Sequence, residues 1–452
     1  MLRSIARSIA RSIALGSALV ALAACADSPT APLAVTSAPT DGGPSEVVAQ
    51  VGTLVSLAPL SGFGAGGVTA INNRRETAGW NYTTGTAYHA FLRAADGTMT
   101  DLGTLGGTGS IALAMNDSSS VVGLSYKSAG VYHAFVSRIV SGSRTITDLG
   151  TLAGATRSAA YGINSAGTIV GFSFTSAGKQ HAVRWAPPAY TPEDLGVFAG
   201  GTSSFAYAIN DGGTVVGFGT NSTGAIRAFK WTSAASGLVD LGTLGGTTAT
   251  ARAINTAGDV VGWSTTAAGA THAFKRTAAG AMTDLGTTSG PSYAFDISTS
   301  GQVIGWAQPS AGNEQALLWN GGSTTDLGTT ATATQAQAYA LNDSGQVVGT
   351  SGDQATIWFL NTNRNPIASF TSLSHSKVNQ TPEDFDASAS SDPDGDQLTY
   401  TWDFGDTGSA TNTGSGKTIS HLYTVKGFYN VSVTVTDWRG ATNTQTLNIH
   451  IN

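Results

Sequence analysis

Apolar residues in this chain recur in short runs that are interrupted every few positions by glycine, serine, threonine or asparagine. After residue 25, no stretch keeps the apolar spacing of an amphipathic helix over three turns. Short apolar runs between turn-forming residues are typical of β-strands joined by tight turns. The pattern therefore predicts an all-β protein.

One short motif recurs along most of the chain. The string Asp-Leu-Gly begins, at intervals of 42 to 47 residues, at Asp101, Asp148, Asp194, Asp240, Asp284 and Asp326. A degenerate copy, Ser56-Leu57-Ala58, lies 45 residues before the first of them. Each interval holds about four short apolar runs, and four strands repeated at this length are typical of a β-propeller blade.

A second motif lies between successive copies of the first. It consists of an apolar residue and asparagine, a turn, and then an apolar pair followed by glycine. Clear copies join Ile163-Asn164 to residues 169–171, Ile209-Asn210 to residues 215–217 and Ile254-Asn255 to residues 260–262. Less regular copies start at Ile71, Met115, Ile297 and Leu341. The intervening Asn-x-x-Gly stretches predict tight hairpins, because glycine takes the positive φ that such turns need.

A third motif places a nitrogen-bearing side chain at one equivalent position of each repeat. Histidine occupies it at His89, His133, His181 and His272, and Arg227, Gln315 and Gln354 replace it elsewhere. A metal needs its ligands around one centre, and equivalent positions of different blades do not supply them. All the replacements keep an N–H donor, so we expect a structural hydrogen bond to backbone or to the Asp-Leu-Gly carboxylate of the same blade. The aspartates are interpreted in the same way, as turn or bulge residues.

The number of motif copies predicts how the array closes. Each Asp-Leu-Gly copy marks the fourth strand of a repeat, and with the degenerate copy at Ser56 there are seven of them. The other two motifs mark seven groups of three strands. The array opens on a lone fourth strand and stops after a third strand at residues 356–359. We therefore expect residues 53–60 to complete the last blade and to close a seven-bladed β-propeller over residues 51–361, which removes the exposed edges of an open array.

The three linked motifs resemble the HAF-repeat family of extracellular bacterial proteins over about residues 52–360. The resemblance implies a secreted or surface-exposed repeat protein. It brings no catalytic residues to this chain.

The first 25 residues differ from the rest. Arg3, Arg7 and Arg11 precede a short apolar segment, residues 13–24, that ends in Leu22-Ala23-Ala24-Cys25. This ending resembles the lipobox of bacterial lipoproteins, in which the cysteine is acylated and becomes the new N-terminus. It implies a signal peptide over residues 1–24, lipidation at Cys25, and a lipid-anchored or extracellular protein. An ordinary signal peptide with a chance cysteine is the alternative. Residues 25–50, rich in Ala, Pro, Ser and Thr, predict a flexible linker.

The last ninety or so residues lack the repeat and carry motifs of their own. These are Asn365-Pro366-Ile367-Ala368, Asp392-Pro393-Asp394-Gly395-Asp396 and Trp402-Asp403-Phe404-Gly405-Asp406. They resemble the PKD (polycystic kidney disease) domain over residues 364–452, which implies an immunoglobulin-like β-sandwich that acts as a spacer or contacts protein or polysaccharide. Thr407 and Glu383 depart from the family pattern. Trp402 is interpreted as a core anchor.

The acidic turn of this domain is a candidate calcium site. Asp392, Asp394 and Asp396 place three carboxylates at alternate positions, and the resemblance implies that some PKD domains bind calcium here with help from Asn365. The terminal bidentate glutamate of an EF-hand loop is missing. The alternative is a turn held by its own backbone hydrogen bonds.

Composition narrows the classes of function. The formal net charge is −6, only 11% of residues are charged, and no basic run follows residue 11. Nucleic acid is therefore not an expected partner, because binding it needs clustered Lys and Arg. Unrepeated charges such as Glu314 show no spacing typical of acid–base catalysis and are interpreted as solvated loop residues. Most aromatic residues after the Val-Val-Gly motif, such as Trp263 and Trp306, are expected in the core.

These observations predict an exported, surface-anchored binding or scaffold protein without catalytic residues. Its propeller rim and PKD domain are expected to contact an extracellular or envelope protein or polysaccharide, and its lipid anchor to contact the membrane. No cofactor is expected apart from the calcium ion. Two alternatives stay open. One is a secreted carbohydrate-active hydrolase or lyase, which needs two carboxylates or a His–carboxylate pair at one mouth of the channel. The other is a cell-envelope spacer.

Overall fold

The computed structural model describes residues 54–56, 64–83, 87–128, 130–286, 290–310, 313–330, 333–361, 363–372, 378 and 381–452. The predicted signal peptide, Cys25 and the linker lie outside these residues. All the regular secondary structure of the described residues is β-strand, which confirms the all-β prediction. Among these residues, no helix has the length and apolar character needed to cross a membrane.

The strands between residues 54 and 359 form seven antiparallel four-stranded sheets. Three of them consist of β2 (Gly64–Ile71), β3 (Thr77–Tyr82), β4 (Tyr88–Arg93) and β5 (Met99–Asp101); β6 (Ser110–Met115), β7 (Val121–Ser128), β8 (Val131–Val140) and β9 (Ser143–Asp148); and β10 (Ser158–Ile163), β11 (Ile169–Phe174), β12 (Gln180–Trp185) and β13 (Pro192–Asp194). Three more consist of β14 (Ser204–Ile209), β15 (Val215–Thr220), β16 (Ile226–Trp231) and β17 (Val239–Asp240); β18 (Gly245–Ile254), β19 (Val260–Thr266), β20 (Thr271–Arg276) and β21 (Met282–Asp284); and β22 (Ser292–Ile297), β23 (Val303–Ser310), β24 (Asn313–Asn320) and β25 (Ser323–Asp326). In each of these sheets every strand pairs with the next one along the chain.

The seventh sheet combines strands from both ends of this array. It contains β26 (Ala336–Leu341), β27 (Gln346–Ser351), β28 (Gln354–Phe359) and, at its edge, β1 (Leu54–Ser56). Strand β1 pairs antiparallel with β28, with Val55 opposite Ile357. The fourth strand of this sheet therefore comes from the segment that carries the degenerate Asp-Leu-Gly copy.

Asparagine side chains link each sheet to the next. The side-chain amide of the motif asparagine donates to the backbone carbonyl of the equivalent residue in the following sheet, over 3.0–3.2 Å. The donor–acceptor pairs are Asn72–Asn116, Asn116–Asn164, Asn164–Asn210, Asn210–Asn255, Asn255–Ser298 and Asn342–Asn72. At the remaining step Ser298 replaces asparagine, and Asp296 accepts a 2.8 Å bond from the backbone N–H of Leu341 instead. The series of bonds thus returns to the sheet where it began.

A β-bulge in every first strand explains the glycine of the second motif. The register of each first strand skips one residue against its partner, as between Ala160 and Gly162 in β10. A Cβ on Gly171 would lie 2.0 Å from the carbonyl oxygen of Ala159, and one on Gly217 would meet a carbonyl oxygen at 1.9 Å. No side chain fits there, so the close approach of the bulged strand requires glycine.

The hydrophobic core lies between neighbouring sheets. Val170 from one sheet packs with Phe229 and Trp231 from the next. The first and seventh sheets share a cluster of the same kind, in which Val68 packs with Ile357. Because each sheet buries one face against the following sheet, removal of apolar area from water stabilises the whole series.

The C-terminal strands form two further sheets. One has the order β29 (Thr371–Ser372), β30 (Glu383–Asp386) and β33 (Thr418–His421), and the other β32 (Thr413–Ser415), β31 (Leu398–Asp403), β34 (Gly427–Asp437) and β35 (Thr442–Ile451). Their core contains Trp402, Phe385 and Tyr423, each at most 1% exposed. Trp402 is a core residue, as predicted, and its indole N–H donates to the carbonyl of Gly416 at 2.8 Å. The arrangement is the predicted immunoglobulin-like sandwich.

Candidate functional site

The repeated histidines each bind an aspartate of their own sheet. The Nδ1 atom lies 2.8 Å from a carboxylate oxygen in the pairs His89–Asp101, His133–Asp148, His181–Asp194 and His272–Asp284. Arg227 makes the equivalent contact, with its Nε donating to Asp240 at 2.8 Å. The structure places each histidine on a third strand and its aspartate on the fourth strand, so the histidines do not share a centre that a metal would need.

The Asp-Leu-Gly carboxylates have a second partner in their own turns. One oxygen of each aspartate accepts a bond of 2.7–2.8 Å from the backbone N–H of the motif glycine two residues later. The glycines are Gly103, Gly150, Gly196, Gly242, Gly286 and Gly328. The same geometry in six copies supports the turn role of these aspartates.

Each first strand has one bulged residue, and the first strands of neighbouring sheets lie next to one another. The first strands of successive sheets contact one another, and β26 contacts β2. The seven residues skipped by the register, called the central cluster below, are Thr69, Leu113, Tyr161, Tyr207, Arg252, Phe295 and Tyr339. The ring centroids of Tyr161 and Tyr207 are 5.7 Å apart, and those of Phe295 and Tyr339 are 5.9 Å apart. In these pairs, side chains from neighbouring sheets contact one another.

The second strands carry five aromatic residues, and three of them contact rings of this cluster. The aromatic belt comprises Trp80, Phe172, Phe218, Trp263 and Trp306. Phe172 and Trp306 are 3% and 6% exposed, whereas the other three are half-buried. Trp263 lies 5.8 Å from Phe295 of the central cluster, measured between ring centroids. Only two of the five are thus core residues, so the expectation that most of them lie in the core is wrong, and Trp80, Phe218 and Trp263 are partly accessible.

Arg252 is the one charged residue of the central cluster. Its guanidinium carbon lies 4.6 Å from the ring centroid of Tyr207 and 5.5 Å from that of Phe295. Its Nε is buried, and Arg252 forms no hydrogen bond or ion pair with the part of the chain that the structure describes. A cation between two aromatic faces is stabilised by their quadrupoles, but its buried Nε–H group is left without an acceptor.

Asp296 carries a negative charge near Arg252 without pairing with it. Its two carboxylate oxygens accept bonds from the backbone N–H groups of Ile297 and Leu341. Burial raises the pKa of Asp296 to about 6, against the lowering effect of those bonds and of the Arg252 charge. Both carboxylate oxygens of Asp296 are therefore engaged in hydrogen bonds with the backbone.

Glu314 differs from its expected role as a solvated loop charge. It is 6% exposed, and its Oε2 accepts a 2.6 Å bond from the amide of Gln337. The hydroxyl of Tyr339 donates to the other end of the same amide. Burial, followed by the charge of Glu314, raises the pKa of Tyr293. Sequence reasoning missed Arg252 and this network, because both occur once in a repeated framework; aligning the repeats would have shown these positions to be exceptional.

The acidic turn of the C-terminal sandwich is held by its own backbone. Asp392 Oδ1 accepts bonds from the backbone N–H groups of Asp394 and Asp396, at 2.8 and 2.9 Å. Ligand atoms of the three carboxylates lie within 4.8 Å of one another, so the sequence-predicted group does come together. Asn365 is exposed. The turn is thus held by its own backbone hydrogen bonds, as in the interpretation without calcium. It also brings three carboxylates close together, as a calcium site requires.

Arginine side chains form ion pairs with two carboxylates of this turn. Arg439, 3% exposed at its side chain, lies 2.7 Å from Asp394 and 2.6 Å from Asp396. Arg75, from the β2–β3 hairpin, lies 2.8 Å from Asp396, and Arg364 lies 2.7 Å from Asp394. Burial alone would raise the pKa of Asp394, but the hydrogen bonds from Arg364 and the charge of Arg439 hold it below its usual value. A calcium ion would have to displace these guanidinium groups, and calcium binding stays a prediction.

The same arginines join the sandwich to the sheets of the repeat array. The guanidinium carbon of Arg439 lies 4.8 Å from the ring centroid of Phe359 in β28, and the ring of Trp438 lies 5.2 Å from the same ring. Together with the Arg75–Asp396 pair, these contacts make a buried, charged attachment between residues far apart in sequence.

Comparison with known proteins identifies the C-terminal segment. Residues 363–451 match the family model of the PKD domain, and this part of the chain belongs to that family. It is similar to the PKD1 domain of Vibrio anguillarum Epp, with 34% identity over 20% of this chain and 96% of that one and a TM-score of 0.17. It is also similar to the PKD1 domain of the Vibrio cholerae metalloprotease PrtV, with 28% identity over 20% of this chain and 99% of that one and a TM-score of 0.17.

A second similarity covers most of the chain. It is to a catalytically inactive virginiamycin B lyase from Staphylococcus aureus, solved with quinupristin. The identity is 14% over 68% of this chain and 99% of that one, with a TM-score of 0.38.

Proposed function

We propose that this chain is an exported binding or scaffold protein whose repeats form a closed, seven-bladed β-propeller. The seven four-stranded sheets and the pairing of β1 with β28 support the blade count and the closure. The asparagine bonds that lead from sheet to sheet and back to Asn72 support it independently. A closed ring leaves no free sheet edge and offers a rigid support for recognition.

The cell envelope is the proposed location. A PKD domain over residues 363–451 fits an extracellular role. The signal peptide and the acylation of Cys25 rest on the sequence motif alone. Replacement of Cys25 by serine tests them: the variant leaves the membrane fraction if Cys25 carries the anchor, and an unchanged membrane fraction contradicts acylation.

The observation that carries the binding proposal is the asymmetry of the central cluster and its aromatic belt. Six of the seven cluster positions are uncharged, and one, Arg252, is a cation with no partner among the described residues. Ligand sites typically combine aromatic walls with a few polar groups that fix orientation. We therefore propose that the belt recognises a polysaccharide, with the PKD domain as a spacer or second contact.

Retention of the full chain on arrays of glycans and envelope proteins tests this function. We expect retention on glycans, and loss of retention when the half-buried rings Trp263 and Tyr293 are both replaced by alanine. The control is Phe428→Ala, which removes a 71% exposed ring from the PKD domain. If the control alone abolishes retention, the PKD domain is the binding module. If the wild-type chain binds neither glycans nor proteins, the spacer hypothesis replaces the binding hypothesis.

A hydrolase or lyase remains the second candidate, and Glu314 is the observation that favours it. A buried carboxylate hydrogen-bonded through Gln337 to Tyr339 lies among unrepeated residues close to Tyr293. The His–Asp pairs of the repeats lie instead on third and fourth strands. Release of shorter glycans by the wild-type chain, lost in Glu314→Gln, would establish this alternative.

A further inference from the structure

Arg252 places a guanidinium group at the centre of the proposed ring that forms no hydrogen bond or ion pair with the described residues. Its guanidinium lies between Tyr207 and Phe295, and the nearby carboxylate of Asp296 is bound to backbone N–H groups. Two other stacked arginines have an acidic partner, since Arg184 on Trp231 pairs with Glu193 at 2.6 Å and Arg439 on Phe359 pairs with Asp394 at 2.7 Å. Arg138 and Arg157 also stack on rings and form no ion pair with the described residues, but each donates a hydrogen bond, to Tyr190 and to Gly130. Arg252 therefore has stacking partners but no direct ion pair or hydrogen bond within the described residues.

Two further donors on aromatic side chains also lack acceptors, and one of them, the Tyr207 hydroxyl, belongs to a residue in contact with Arg252. The hydroxyl of Tyr207, a residue 1% exposed, and the indole N–H of Trp306, 6% exposed, form no hydrogen bond with the described part of the chain. Tyr207 contacts Arg252 directly, and Trp306 stacks on Tyr293 with centroids 4.5 Å apart. Buried donors without acceptors are costly and uncommon in folded proteins. A ligand rich in oxygen acceptors would satisfy them.

We propose that Arg252 binds the carboxylate of an acidic sugar, so that the ligand of the aromatic belt is a uronate-containing polysaccharide. This inference rests on the proposed glycan-binding function and names its substrate class. The planar guanidinium fork matches a carboxylate with two parallel hydrogen bonds.

The surroundings of Arg252 favour a sugar as the carrier of that carboxylate. Trp263 and Tyr293 are half-buried rings with centroids 5.5 Å apart, and Trp263 also lies 5.8 Å from Phe295. Partly exposed aromatic rings offer an apolar face to the C–H face of a pyranose, while the N–H and O–H donors match its hydroxyl oxygens. One side of the site thus suits the ring of the sugar and the other its charge.

Calorimetric titration of the full chain with oligouronates tests the proposal. The probes are tetramers of galacturonate, mannuronate and glucuronate, and the methyl ester of whichever binds. We expect at least one tetramer to bind and methyl esterification, which removes the charge but keeps the ring, to weaken wild-type binding at least tenfold. We expect Arg252→Gln to weaken it at least tenfold and Arg252→Lys less, because lysine keeps the charge but not the fork.

The matched control is Arg184→Gln, which removes another stacked guanidinium and is expected to change affinity less than twofold. The ester comparison uses the wild-type protein and stays decisive if an Arg252 variant does not fold. Equal affinity for acid and ester, unchanged binding by folded Arg252→Gln, or no binding of any of the three tetramers overturns the inference.

Further probes separate this inference from the function on which it rests. Binding of neutral glycans that is insensitive to Arg252 overturns the acidic-sugar inference and leaves the glycan-binding function in place. Tighter, Arg252-dependent binding of an oligoglutamate or of an oligoglycerol phosphate identifies a peptide or phosphate ligand and also overturns it. Failure of every glycan and protein on the arrays overturns the proposed function itself.

Discussion

Asn210 stabilises both its own hairpin and the contact with the next sheet. Its Oδ1 accepts from the backbone N–H of Thr214 at 3.0 Å, and its amide donates to the carbonyl of Asn255 at 3.1 Å. The residue is 9% exposed, so water does not readily replace these partners. The motif asparagine therefore fixes the turn of its own hairpin and also holds its sheet to the next one.

We expect Asn210→Ala to lower the free energy of unfolding by about 3 kcal/mol, because the buried Asn255 carbonyl and the part-buried Thr214 N–H both lose their partner, at roughly 1–3 kcal/mol each. The control is Asn221→Ala, which removes only local turn bonds to Thr223 and Ala225 and should cost about 1 kcal/mol. Urea unfolding measures both. Equal losses would show that the bond to the next sheet adds nothing.

Asp296 predicts a pH dependence of stability. Its pKa is raised to about 6 by burial, whereas an unfolded aspartate titrates near 3.9. Between about pH 4 and 6 the folded state therefore holds more protons than the unfolded state, and the free energy of unfolding falls as pH rises. Relative to Asp296→Asn, wild-type should lose up to about 1.4 kcal/mol per pH unit in this window. A difference in unfolding free energy that stays constant from pH 4 to 7 would contradict the shift.

Residue-level prediction from the sequence was uneven for physical reasons. The repeated His–Asp contact was one of two expected alternatives, since the conserved N–H donor restricted its partners. Arg252 and Glu314 were not recognised, because their burial depends on side chains contributed by neighbouring sheets. Only the fold brings Arg252 between Tyr207 and Phe295.

At the scale of the element, the second strand of each repeat depends on the bulge in the first. The bulge brings the carbonyl oxygen of Phe205 to 1.9 Å from the position of a Cβ on Gly217. Gly212, in the preceding hairpin, has its nearest neighbour at 3.4 Å and no positive φ. These two glycines therefore contrast a position that excludes a side chain with one that accepts it.

We expect Gly217→Ala to destabilise the protein by about 3 kcal/mol or more, since the clash involves backbone and strands must move apart. Gly212→Ala should change stability by less than about 1 kcal/mol. Thermal unfolding of the two variants checks this. Similar melting temperatures for both would contradict the bulge geometry.

Strands and hairpins were predictable from the sequence because turn residues and apolar pairs recur with the repeat. The bulges were not predicted, because a two-against-one register is a property of two paired strands. The glycine after each apolar pair was noticed as a motif, but its cause lies in the neighbouring strand.

At the scale of the whole molecule, buried arginines fix the PKD domain to the repeat array. The side chains of Arg439 and Asp396 are 3% and 0% exposed, and Arg75 reaches Asp396 from the β2–β3 hairpin. Removing one partner of a buried ion pair leaves the other charge uncompensated. The attachment should therefore fail when Arg439 is lost.

We expect Arg439→Ala to cost about 3–5 kcal/mol in the stability of the attached state and to make the connection near residues 361–364 sensitive to protease. The control is Arg364→Ala, whose side chain is 60% exposed and whose ion pair is worth at most about 1 kcal/mol. Limited proteolysis and calorimetry compare them. Wild-type protease resistance in Arg439→Ala would show that the attachment does not depend on this cluster.

The PKD domain was predictable from its own motifs, and the family match over residues 363–451 agrees. Its attachment was not, because nothing in the sequence relates Arg75 to Asp396, 321 positions away. Contacts between residues this far apart in sequence depend on how the folded domains pack together, which no local sequence pattern shows.

Closure of the repeat array by β1 is the central claim, and a disulfide measures it most directly. Antiparallel Cα partners lie about 4.5–5.5 Å apart, within disulfide range, and Val55 is the partner of Ile357. In a Cys25→Ser background, the pair Val55→Cys and Ile357→Cys should form an intrachain bond, detected as a linked peptide by mass spectrometry. The control pairs Val55→Cys with Val348→Cys, which lies opposite Ile357 one strand further away, and should form none. A bond no more frequent than in this control, or one found only between chains, would contradict closure.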